Sequence, residues 1–351
     1  MNEHGQLRPI FYCLLFLCLC VTLAIFKVAS SIIIPVVFSI LFSFGFLQPV
    51  KFLKNKFNIP WILGIILIYL IFLVFFYLMG NILVTGVVSV VQLLPKFEEK
   101  LMGTFVLICN ELNIKINTDE GIIKNLIGFS SIRNFIGSSA FNISTIVYDF
   151  LRSFFMSLLF SVFLLAEFNS TKGKLKMALS SDTKEKIFNA TNRIINDVSR
   201  YISIKFIVSL VTGILIWLSC KIISLEFAEV FGFLAFVANF IPTFGSIFSC
   251  VITILFSLVN FYPGLWQTIF IAFAMISIEF VIGNIIEPKI CGQNLDLSPY
   301  VILVSLTIWG WIWGLPGMIL SVPLMVIVKI ICENIPYLKP IAIFIGNKSK
   351  E

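Results

Sequence analysis

Between Val230 and Ile278 the chain carries 49 consecutive residues without one Asp, Glu, Lys, Arg or His. A run of that length makes sense where lipid is the solvent, because a helix crossing a bilayer needs about 20 predominantly apolar residues. Inside the run stands "NFIPTFG" (239–245), which puts an Asn, a helix-breaking Pro, a Thr and a Gly within seven positions. Any fold for this chain has to accommodate a polar break inside its most apolar segment.

Composition places the whole chain in the same class. Of 351 residues, 59% are hydrophobic and 12% charged, against about 25% charged in a soluble domain. The expected fold is therefore an all-α polytopic membrane protein. Spans 1–3 are expected within 1–80, at roughly 10–27, 30–50 and 60–80. The first is read as an uncleaved span, since it lacks an A-x-A-like cleavage site and a second apolar segment soon follows. Residues 81–142 carry both charge signs. Phe97, Leu101, Phe105, Ile108 and Leu112 repeat there at steps of three and four, one apolar face of an amphipathic helix. The segment reads as a small extracytoplasmic helical lobe, or as a helix lying on the membrane or on a neighbouring subunit.

Span 4 is expected at 143–168. The next segment, 169–200, holds Lys172, Lys174, Lys176, Lys184, Lys186, Arg193 and Arg200. Basic loops stay in the cytoplasm, so this loop lies inside, and so does the loop with Lys51, Lys54 and Lys56. Both termini are then cytoplasmic. Such loops are basic by default, so no nucleic-acid partner is inferred. Asp182 followed by Glu185 marks a helix start within the loop. Residues 201–335 form a C-terminal core and 336–351 a cytoplasmic tail. The count is about eight membrane segments, of which 227–260 and 299–331 are broken or re-entrant. The second of these breaks at "WGWIWGLPG" (309–317).

Several chemistries are disfavoured. The single histidine, His4, stands near the start, and no CxxC occurs among the eight cysteines, so neither a metal nor a cofactor is expected. No G-x-x-x-x-G-K-[ST] is present to bind ATP. Gly245-Ser246 resembles a nucleophile motif, but no span supplies a His to activate it, so an intramembrane enzyme is disfavoured.

Irregular backbone at membrane depth survives where it is packed in protein or lines a wet cavity. The simplest geometry for the first break is two half-helices, about 228–240 and 244–260, meeting at a polar tip. Asn239 offers a donor and an acceptor, Pro242 disrupts the turn before it, Thr243 caps the next helix, and Gly245 permits close approach. Paired half-helix ends of this kind bind ions and polar substrates in transporters, although a Pro-kinked helix with satisfied groups is the simpler alternative. Gly314 and Gly317 mark the second break. Between the breaks, Glu279 and Glu287 stand at steps of four about Gly283, on roughly one helical face, with Asn284 near the same end. An intramembrane carboxylate is a functional candidate, and Glu279, the deeper one, suits a proton or cation relay. Glu287 stands beside Lys289, which equally suits a plain interfacial ion pair.

Four motifs in order carry a family resemblance: "YISIKFIVSLVTG" (201–213), "GFLAFVANFIPTFGS" (232–246), "GNIIEPKICGQNLDLSP" (283–299) and "WGWIWGLPGMILSVPL" (309–324). Together they resemble the AI-2E family of autoinducer-2 exporter-like, PerM-like bacterial permeases. "IIIPVVFSILFSFGFLQPV" (32–50) resembles that family's second span. The resemblance puts Asn239, Pro242, Gly245, Asn284, Glu287, Pro288, Gly292, Gly314, Gly317 and Pro323 at motif positions; Glu279 rests on the physical argument alone. It implies export of a small polar solute or signalling molecule across the bacterial inner membrane, sodium–proton antiport in some members, and homo-oligomers. Ion-coupled secondary transport is the expected function. An antiporter, a channel-like pore and a scaffold are the alternatives.

Overall fold

The computed structural model describes residues 17–18, 21–82, 85, 152–168, 181–291 and 297–346. Most of the expected lobe, half of span 1, the start of span 4 and the first part of the basic loop lie outside the described residues. Among the described residues the regular elements are all helices, joined by turns, with one isolated bridge between Leu297 and Gly346.

The helices are α1 (Ser30–Phe57), α2 (Trp61–Ile82), α3 (152–168) and α4 (Ser181–Ile222), followed by α5 (Ala228–Ala238), α6 (Phe244–Phe261) and α7 (Leu265–Glu279). A π-helical turn, Phe280–Ile286, joins α7 to α8 (Glu287–Cys291), and α9 (Pro299–Trp313), α10 (Leu315–Asn334) and α11 (Lys339–Ile345) complete the chain. Six helical stretches are long and apolar enough to cross a membrane: Ser30–Phe57, Trp61–Ile82, Ile187–Ile222, Phe244–Phe261, Leu265–Ile290 and Leu315–Asn334. The α5 and α9 helices are apolar but shorter. The multi-span helical expectation therefore holds, with six such stretches among the described residues where the sequence suggested about eight segments. One boundary also moves. The capped helix in the basic loop and the span after it are one 42-residue helix, α4, about 63 Å long at 1.5 Å per residue.

The chain divides into two compact units. The first holds residues 1–65, 152–202 and 294–351. Its core gathers Leu41, Val198, Tyr201, Ile312, Leu320 and Val326. In lipid, apolar surface gains little by leaving its solvent, so helices are held by close packing and by hydrogen bonds between them. Here the Ser43 hydroxyl donates to the Ser161 carbonyl at 3.1 Å, and the Trp61 indole donates to the Leu165 carbonyl at 3.2 Å. At the end of α10, Glu333 pairs with Arg193 of α4, which also faces Asp197 at 3.5 Å.

The second unit holds residues 66–151 and 203–293. Its helices run alternately up and down. Glu229, at the start of α5, pairs with Lys221 near the end of α4, and Asn239, just past the end of α5, bonds to Ser209 farther back along α4. Phe231 of α5 stacks near Phe256, late in α6, with ring centres 4.9 Å apart. Ser257 of α6 reaches Thr268 of α7 at 3.3 Å. In each pair of helices the contacts pair late residues with early ones, so each pair is antiparallel. Ile216, Cys220, Phe231, Ala235, Ile271 and Met275 form the buried centre. Phe75, Phe206 and Phe236 meet edge to face at 5.8–5.9 Å and clamp α2, α4 and α5 together.

A polar cluster at a helical break

The break at "NFIPTFG" is a hairpin turn rather than a kink. α5 ends at Ala238 and α6 begins at Phe244, close to the expected half-helices. Much of the turn's backbone is satisfied within itself: Asn239 N–H donates to the Ala235 carbonyl, Ile241 N–H to Ala238, and Gly245 N–H to Ile241. The half-helix ends are therefore largely closed on themselves, and the chemistry at the tip is carried by side chains.

Two residues build the turn. Thr243 has φ +64° and ψ −55°, and the Phe244 N–H bonds across it to the Pro242 carbonyl at 2.7 Å. This is a three-residue γ-turn of the rare, strained kind. A β-branched residue held there stores on the order of 1–3 kcal/mol. Thr243 stands at the expected capping position, but its hydroxyl makes no capping bond, because the backbone spends that turn on the γ-turn instead. At Gly245 a Cβ would lie 1.7 Å from the Ala238 carbonyl oxygen. The two half-helices touch backbone to backbone there, and no side chain fits.

Polar side chains gather beside this turn from four helical elements. Asn239 is 5% exposed and donates its amide to the Ser209 hydroxyl of α4 at 3.2 Å. One turn earlier on the same face of α4, Lys205 meets Glu287 with Nζ 2.7 Å from Oε1. The lysine side chain is 5% exposed and the glutamate 21%. Ser246, in the first turn of α6, hydrogen-bonds with Glu279 at the end of α7. The charges of Lys205 and Glu287 both act on Glu279. One carboxylate oxygen of Glu279, Oε1, is buried and has no hydrogen-bond partner.

The π-helical turn places the two carboxylates. In a regular α-helix, eight residues are 2.2 turns, so Glu279 and Glu287 would point about 80° apart. A π turn absorbs an extra residue, so the spacing behaves like i, i+7, which shares a face. The two carboxylates lie near enough for the charge of one to act on the other, across a local distortion that the spacing alone does not reveal. The interfacial pairing offered for Glu287 with Lys289 changes partner: the carboxylate bonds to Lys205. From the sequence, Lys205 falls inside the span expected at about 201–220 and has no assigned role, yet a lone lysine in an apolar span demands an anion, which was the available signal.

The remaining candidates make no side-chain contact described in the cluster. Thr243 is exposed at the tip, Pro242 half-buried, and Asn284 is on the exposed side of the π turn. Gly314 and Gly317 belong to the first unit. There the second break is also a hairpin: Gly314 has φ +64°, and a Cβ on Gly317 would lie 1.9 Å from the Trp309 carbonyl oxygen. The Ser305 hydroxyl of α9 donates to the Ser321 carbonyl of α10 at 3.1 Å. The surroundings are aromatic. Phe26 stacks with Trp309 and Trp313, and the Trp313 indole donates to the Phe26 carbonyl at 2.9 Å.

Known proteins are similar to this sequence along most of its length. The model of the AI-2E family transporter matches residues 14–337. A candidate transport protein of Borreliella burgdorferi is 31% identical over 99% of this chain and 94% of its own length. A candidate transport protein of Haemophilus influenzae is 31% identical over 93% of each chain. The AI-2 transport protein TqsA of Escherichia coli is 28% identical over 93% of this chain and 92% of its own.

Proposed function

The chain belongs to the AI-2E transporter family, and from that premise we propose that it is a permease moving a small polar solute or signalling molecule, of the autoinducer-2 kind, across the bacterial inner membrane by ion-coupled secondary transport. One observation carries the reading. Lys205, Ser209, Asn239, Ser246, Glu279 and Glu287 converge from four helical elements at the tip of a hairpin whose two arms carry no charge beyond Glu229. Polar groups at membrane depth are costly, and their convergence marks a path for something polar.

Asn239 and Ser209 supply neutral hydrogen-bonding groups for a solute, and Glu279 supplies an anionic oxygen for a coupling ion. α5 has 11 residues, about 16 Å of helix, roughly half of a 30 Å hydrocarbon core. We therefore read α5–α6 as a re-entrant hairpin that brings its tip to membrane depth. Gly314 and Gly317 are assigned to building the second hairpin's turn. The termini are placed in the cytoplasm, by the basic residues of 51–56 and 169–200, and the working form is a homo-oligomer, as the family resemblance implies.

The test is solute flux in vesicles reconstituted with the full-length protein, with and without proton and sodium gradients. Flux driven by one gradient and lost in Asn239→Leu supports the reading. Flux indifferent to both gradients removes the ion coupling. The unpartnered oxygen of Glu279 favours one second reading, in which the ion is itself the cargo and the protein is a sodium–proton antiporter. Gradient-driven sodium movement without any solute distinguishes it.

A further inference from the structure

We infer that Lys205 is a resident counter-ion that fixes the charge the cluster carries, so that one monovalent cation, and not a divalent one, completes the site. The inference rests on the ion-coupled reading above and deepens it by naming the cation class.

The two carboxylates are not equivalent. Glu287 is closed by the Lys205 ammonium at 2.7 Å, in a pair whose lysine is buried. Glu279 has only the neutral Ser246 hydroxyl on one side, and its Oε1 is buried without a partner. A hydroxyl satisfies a lone pair but cancels no charge. The groups whose charges act on Glu279, or that it acts on, are Lys205 of α4, Glu287 beyond the π turn and the Cys250 thiol of α6. Two carboxylates and one ammonium sum to a single negative charge. In a weakly polarisable medium an uncompensated charge is expensive, so the cluster takes one positive charge and rejects a second. A proton or a sodium ion meets that condition, whereas a calcium ion leaves a net positive charge beside a buried lysine.

The placement of Lys205 is built in. It stands one turn from Ser209, which holds Asn239 of the tip, so the helix face that grips the hairpin also carries the counter-ion. Ser246 of the hairpin bonds to Glu279 in turn. Tip, counter-ion and open carboxylate are thus parts of one framework.

The experiment counts cations on purified full-length protein. Proton uptake is measured by titration, with Glu279→Gln as the reference, and 22Na+ and 45Ca2+ binding are measured in parallel. Wild type is expected to take one proton or one sodium ion and no calcium. Lys205→Met is expected to take two monovalent cations or one calcium ion. The double variant Lys205→Met/Glu287→Gln removes both members of the pair, so that neither is left without its partner, and is expected to return to one cation. A lysine that only packed the helices would not have its ion count reset by Glu287→Gln. If Lys205→Met keeps a count of one and binds no calcium, the inference is overturned alone. If Lys205→Met does not fold, a double variant that takes two cations or binds calcium overturns it. A wild type that takes up neither ion overturns the coupled reading and this inference together.

Discussion

The two helical breaks use one backbone device in two different chemical settings. In each, a short apolar helix stops, the chain reverses, and a glycine in the first turn of the next helix lies against a carbonyl of the last turn before the break: Gly245 against Ala238, and Gly317 against Trp309. A hairpin made this way closes backbone to backbone, which satisfies or shields polar groups that lipid would not. The side chains then diverge. The first break carries Asn239 and Ser246 and faces Glu279, Glu287 and Lys205. The second is enclosed by Phe26, Trp309 and Trp313. The lesson is that a broken apolar helix is a way of making a tip, and whether the tip does chemistry depends on what the neighbouring helices bring to it.

The comparison can be broken or sharpened by substitution. The largest effect is expected at the charged break. Lys205→Met alone leaves the partly exposed Glu287 without its partner and should cost about 3 kcal/mol of stability, read as a fall in thermal midpoint of the purified protein. The aromatic break has no counterpart to this loss. Next, Gly245→Ala and Gly317→Ala should each destabilise by about 1–3 kcal/mol or more, since both insert a methyl into a backbone contact. Similar losses at the two sites would establish the shared device, and a tolerated alanine at either would dissolve it. Trp313→Phe, which deletes the indole bond to the Phe26 carbonyl, should cost about 1–3 kcal/mol while leaving flux per folded molecule unchanged. Asn239→Leu should do the reverse, cutting flux about tenfold or more with a stability loss near 1 kcal/mol, because the bond to Ser209 is neutral. Smallest in stability is Glu279→Gln. It removes a charge that has no salt partner, so the fold should change by less than about 1 kcal/mol. The dependence of flux on the ion gradient should nevertheless disappear.

Much of this was legible from residue order. The uncharged run, Pro242 and Gly245 define the first hairpin to within two residues of its helix ends, because a breaker inside an apolar helix has few places to go. The carboxylates stood out for the same reason: charge is rare there and hence conspicuous. The γ-turn at Thr243 was not legible, since a threonine after a proline gives no sign of a positive φ and reads equally as a cap. The π turn was not legible either. Nothing in "FVIGNII" distinguishes seven residues wound wide from seven wound normally.

By itself the sequence determined that this chain lives in lipid, where its helices break, and which rare charges lie among them. These are properties of local composition, and local composition sets solvent and backbone propensity. Only the tertiary structure decided which charges meet. Lys205 and Glu287 stand 82 positions apart and pair because antiparallel helices and one extra residue in a π turn bring them to the same level. Such a meeting depends on helix order, tilt and register together, and no short stretch of sequence contains all three.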